Sequence, residues 1–136
     1  MSYALAGPLQ AAIYDALSGD ATLAGIVGTA IYDAVPQGKL PDLHVLLGVE
    51  DVMDASDCTS PGAEHFVTVS VVTTKPGFAE AKAAAGAVSD VLHDAALSLS
   101  RGRLISLWFE KARARRGEAQ STRVVDLRFR ARVSDE

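Results

Sequence analysis

At 136 residues, 49% of them hydrophobic and 22% charged, the chain is shorter than the roughly 250–300 residues at which cores split. This argues against a two-domain enzyme, and the apolar content excludes disorder as a general description. The single cysteine, Cys58, excludes an internal disulfide, and no apolar run approaches the about 18 residues that span a bilayer. The net charge of −4 conceals an asymmetry. Residues 1–100 hold three Lys/Arg against twelve Asp/Glu, a balance of −9, and residues 101–136 hold ten against five, a balance of +5.

The opening, MSYALAGPLQ, lacks a basic stretch, so no secretory signal is expected and the chain reads as intracellular. From Leu5 to Leu17, apolar residues recur at helical spacing, with Pro8 tolerated in the first turn, and Ser18-Gly19 ends the helix. Asp20 is placed to cap a short second helix, Ala21 to Val27, which Gly28 stops. Ala30 to Val35 is a short extended piece closed by Pro36, Gly38 and Pro41. His44 to Val49 and Phe66 to Thr74 are β-branched, apolar runs that read as central strands. Between them Glu50 to Glu64, EDVMDASDCTSPGAE, reads as a polar, acidic loop.

After Pro76-Gly77 comes the best helix of the chain, carrying Phe78, Ala81, Ala85, Val88, Leu92 and Ala95 on one stripe; eight of the nineteen residues from Ala79 to Leu97 are alanine. So smooth a surface allows close approach to a sheet or another subunit. Leu104 to Phe109 is an apolar strand. From Thr122 to Val133, the residues Val125, Leu127, Phe129, Ala131 and Val133 alternate with Asp126, Arg128, Arg130 and Arg132, the period of a half-buried strand. The order α, α, β, β, β, α, β, β lacks regular βαβ alternation. It predicts one α+β domain over 1–136: a mostly antiparallel sheet with one long and one or two short helices on one face.

No catalytic or cofactor motif emerges. Nucleophile-elbow, P-loop and dinucleotide-turn patterns are absent, and Cys58 has no partner motif. Asp51, Asp54 and Asp57 beside Glu50 lack the spacing and central glycine of a calcium loop, so they read as a solvated acidic loop. His44, His65 and His93 show no zinc spacing and read as surface or rim residues. The remaining signal is basic. Lys111, Arg113 and Arg115 alternate with alanines, and Arg128, Arg130 and Arg132 alternate with core residues, so each strand puts three cations on one face. Whether the two triplets share a face depends on register, which sequence leaves open. Three readings stand: a solvated sheet face, a subunit or partner surface, and a DNA contact, the last disfavoured because Trp108, Phe109 and Phe129 read as core and the pI is about 5.3.

The succession LQAAIYDALSGDATLAGIVGTAIYDAVPQ, PDLHVLLGVED, EHFVTVSVVT, GFAEAKAAAGAVSDVLHDAAL, GRLISLWFEKARARR and DLRFRARV resembles the tail terminator (tail completion) family of long-tailed phages. The likeness is greatest to the version encoded by alphaproteobacterial gene transfer agents. It covers nearly the whole chain, and its most specific parts are the opening helix followed by IYDAVP and the closing Trp-containing and Arg-alternating strands. The resemblance implies a structural protein, made in the cytoplasm, that forms a hexameric ring of copies of itself on the head-proximal end of the tail tube. There it would stop the tube protein from polymerising and offer a surface to the head-side connector or stopper, with DNA passing through its channel without specific binding. No catalytic residue, cofactor or membrane contact is implied. A head-side neck protein is the nearest alternative, and a small DNA-binding domain a more distant one.

Identical subunits in a ring meet through unlike patches, and an oppositely charged chain supplies them. Arg113, Arg115, Arg128, Arg130 and Arg132 are therefore expected on the basic side of a contact. Asp51, Asp54 and Asp57 are expected on a projecting acidic surface, either against a neighbouring ring or in the channel, where negative charge repels phosphates.

Overall fold

A computed structural model describes residues 3–34, 36–38, 40–55, 62–117 and 121–135. The expectations for Asp57 and Cys58 lie outside these residues. The first helix, α1, spans Ala6–Ser18 and buries Leu9, Ile13 and Leu17. The second, α2, spans Ala21–Val27, with the Asp20 carboxylate accepting the Leu23 N–H at 2.9 Å as its cap. Gly28 follows at φ 62°, where a side chain would be strained. Of the extended piece predicted over Ala30–Val35, Ile31–Tyr32 is a strand, β1, among the described residues, before Pro36 and Gly38 turn the chain.

The remaining strands are long. β2 spans Leu43–Asp54, β3 Gly62–Thr73, β4 Arg103–Arg116 and β5 Arg123–Ser134. They form one five-stranded sheet of order β1-β2-β3-β5-β4, antiparallel except where β1 pairs with β2. The third helix, α3, spans Ala79–Leu92 and lies on β3, β5 and β4, with α1 and α2 beside it. All three helices occupy one face, as the α+β reading expects. That inner face carries Val69, Val71, Leu127, Phe129, Ala131 and Val133 against Ala81, Ala84, Val88 and Leu92. Alanine on α3 is what lets the helix sit close over the β-branched strands.

Three departures from the sequence reading have physical causes. Glu50–Asp54 and Gly62–Glu64, predicted as loop, are paired strand, because Asp51 and Met53 point to the uncovered outer face while Glu50 meets His65 on the inner one. The polar composition there reflects a strand with one wet face. α3 stops at Leu92 rather than Leu97, where His93 turns extended and Asp94 adopts φ 59°. The predicted Leu104–Phe109 strand and the Lys111–Arg115 alternation are one continuous β4, carried through irregularities between Leu104 and Ser106 and between Phe109 and Lys111.

Candidate functional site

Among the described residues, no helix lies over the outer face of the sheet. Register decides what it displays, because partners across a ladder point the same way. Lys111 lies opposite Arg128, Arg113 opposite Asp126 and Trp108 opposite Arg130; in turn, Arg132, Arg130, Arg128 and Asp126 lie opposite Glu64, Phe66, Thr68 and Ser70. The two basic triplets therefore share one face, the question the sequence leaves open. Arg113, Arg115, Arg128, Arg130 and Arg132 come together on β4 and β5.

They are interleaved with partners. The Arg128 guanidinium stands 4.6 Å over the Phe66 ring, and its Nε is 2.9 Å from Glu110 Oε1, a charge pair without hydrogen-bond alignment. Arg130 lies 5.7 Å from the Trp108 ring and 3.7 Å from Glu64, whose other oxygen is 3.9 Å from Arg132. Asp126 accepts the Ser70 hydroxyl at 2.6 Å and the Arg115 Nε–H at 2.7 Å. Partial burial pushes the Asp126 carboxyl up, but these two hydrogen bonds and the charges of Arg115 and Arg113 outweigh it and hold it below the ordinary carboxylate range. Each exposed pair contributes little, about 1 kcal/mol at most. Their joint effect is to hold an arginine–aromatic ladder in one arrangement on a bare surface.

The acidic residues fall differently from expectation. Asp51 is on the outer face of β2, in the same cross-sheet row as Phe66, Arg130 and Trp108, whereas Asp54 has the opposite facing, across from Ala63. These two therefore do not share a face. On the inner side of that flank, α1, Asp33 and Glu50 border a concavity of about 480 Å³, lined also by Tyr3, Tyr14 and Asp15. Glu50 accepts the Tyr3 hydroxyl at 2.9 Å and meets His65 Nδ1 at 2.9 Å. The hydrogen bond to Glu50, then its charge, holds the Tyr3 phenol above its usual range.

Two sequence expectations need correction. His44 and His65 are buried rather than on the rim: His44 Nδ1 is 3.1 Å from the Pro41 carbonyl, and His65 is fully enclosed. His93 alone is exposed, where its Nδ1 accepts the Phe109 N–H at 3.0 Å. Trp108 and Phe109 are not core. They are 47% and 38% exposed, because β4 is an edge strand whose irregularities carry its apolar run across both faces, while Phe129 on the interior strand β5 is fully buried. Sequence reasoning missed Glu64, Phe66 and Glu110 as partners of the arginines. The signal was present in the alternation of Glu64, Phe66, Thr68 and Ser70, but their neighbours on β5 depended on register.

Comparison with known proteins gives the chain a family. Residues 11–134 match the family described as tail completion protein gp17. The chain belongs to the tail completion protein gp17 family. One solved structure similar to this family member is a chain from the structure titled "Virion of native gene transfer agent (GTA) particle". It is 60% identical, with a TM-score of 0.94, over 98% of this chain and 99% of that one. No curated protein matches. The family is one of structural virion components, and among the described residues of this member no helix is long and apolar enough to cross a membrane.

Proposed function

We propose that this chain forms a ring at the head-proximal end of the tail tube of a phage-like particle, where it ends tube polymerisation and offers the attachment surface for the head-side connector or stopper. The observation that carries this reading is the 60% identity, over nearly the full length of both chains, with a protein of a gene transfer agent virion. The ring is a homohexamer, assembled in the cytoplasm and retained in the particle, and DNA passes through it without specific binding. Its action is by shape and contact, with no bond made or broken.

The bare outer face suits that role. That face exposes Trp108, Met53 and Val49, the last two at 61% and 67%, and a monomeric protein rarely leaves several large apolar residues of one face uncovered. A component awaiting neighbours does. Reversing Arg128 and Arg130 to Glu is expected to weaken attachment to tails while the chain still folds, since the exposed pairs it breaks contribute about 1 kcal/mol each at most. Normal attachment by that variant would remove the outer ladder from the reading.

The decisive experiment is electron microscopy of particles produced without this gene. Tails of uncontrolled length, or tails unable to join heads, are expected. Tails of correct length without heads would instead assign the chain to the head-side neck.

A further inference from the structure

Among the described residues, two stretches of sheet edge have no partner strand. β1 takes only Val45 and Leu46 of β2, so the edge from Val49 to Met53 is open. Across the sheet, the Asp94 N–H bonds the Leu107 carbonyl at 2.6 Å and His93 accepts the Phe109 N–H, so the chain after α3 covers the middle of β4. Beyond it, β4 from Glu110 to Ala114 pairs, among the described residues, only on its β5 side. Open edges invite pairing with another chain.

The two edges are unlike in charge. Beside the β2 edge stand Asp51 on the outer face and Asp33 and Glu50 on the inner one, around the concavity. Along the β4 edge stand Lys111 and Arg113 on the outer face and Arg116 on the inner one, with exposed Ala112 and Ala114 leaving room for a neighbouring helix. We propose that copies of this chain join edge to edge, β4 of one adding antiparallel to β2 of the next, so that the sheets run on around a closed ring. This rests on the ring reading above and names the surfaces that close it.

Strand polarity and stagger both fit. Three successive antiparallel pairings make β2 and β4 opposite in direction, so a copy related by rotation alone presents β2 to β4 in the antiparallel sense. Asp51 shares a cross-sheet row with Arg130 and Trp108, whereas Arg113 shares one with Asp126. With Asp51 of one copy set opposite Arg113 of the next, the offset from Arg130 to Asp126, about four residues, becomes about 13 Å of stagger, against about 19 Å for four strand spacings. The ratio is a tilt of roughly 35°, within the range at which closed sheets settle.

Charge-swap variants on tails and in solution test this. Arg113→Glu with Arg116→Glu, and separately Asp33→Arg with Asp51→Arg, should each weaken self-association by about tenfold or more, since like charges then face each other. Combining all four changes in one chain, or mixing the two variants, should restore it. In a Cys58→Ser background, Asp51→Cys with Arg113→Cys should give a ladder of disulfide-linked multimers from oxidised particles. Wild-type behaviour of both half-swaps, or cross-linked particles yielding only single chains, overturns the edge pairing and leaves the ring reading standing if the wild type still caps tails. A wild type that neither self-associates nor sits on tail ends overturns both.

Discussion

His65 and Glu50 are the most consequential pair at the scale of single residues. His65 has no exposed surface, its Nε2 is buried without a hydrogen-bond partner among the described residues, and its Nδ1 depends on Glu50. Glu50→Ala would leave a second buried polar atom unpaired and is expected to cost about 1–3 kcal/mol in urea unfolding. Adding His65→Leu should recover part of that loss, because removing both polar partners also removes the desolvation penalty. Asp126 makes the chain sensitive to acid. Its folded-state carboxyl titrates below the unfolded value, so its contribution to stability is complete above about pH 4 and is lost as pH falls through the folded value. Asp126→Asn should therefore show a flatter fall in urea midpoint below pH 4 than the wild type.

The limits of elements are set by glycines whose roles differ. Gly102, at φ 68° before β4, has the Ser134 carbonyl oxygen 2.6 Å from where a Cβ would stand, and Leu5 beside it; Gly77, at φ 81° before α3, has open space. Gly77→Ala should cost about 1–2 kcal/mol for the left-handed backbone alone. Gly102→Ala should cost more, by thermal or urea unfolding, because neither the β5 backbone nor the buried Leu5 can move freely. Such steric facts are invisible in sequence, whereas periodicity is not. The alternation along β5 placed Val125 to Val133 inward, and the stripe on α3 placed Ala81, Ala85, Val88 and Leu92 inward. Composition misled where one face of a strand is wet: the acidic Glu50–Asp54 segment reads as loop because its buried partner, His65, is distant in sequence. The arginine ladder was legible as two triplets, but its unity depended on the pairing of β4 with β5, and its aromatic partner Phe66 on the pairing of β3 with β5.

For the whole molecule, charge asymmetry along the chain becomes asymmetry across the sheet. The strongly basic strands β4 and β5 form one flank and its neighbour, while the acidic Asp33, Glu50 and Asp51 stand on the other flank. The fold itself does not depend on these charges, since the core of Leu9, Val69, Val88, Phe129 and their neighbours is apolar. Association between copies would depend on them. Salt separates the two: raising ionic strength from about 0.1 M to about 1 M shortens the screening length from about 10 Å to about 3 Å, weakening attraction between exposed flanks while leaving apolar burial intact. Sedimentation across that range should show the self-association of this tail completion family member falling, with its thermal unfolding temperature unchanged or slightly raised. Self-association that strengthens with salt would mean that the exposed apolar residues Trp108, Met53 and Val49, rather than the charged flanks, hold the copies together.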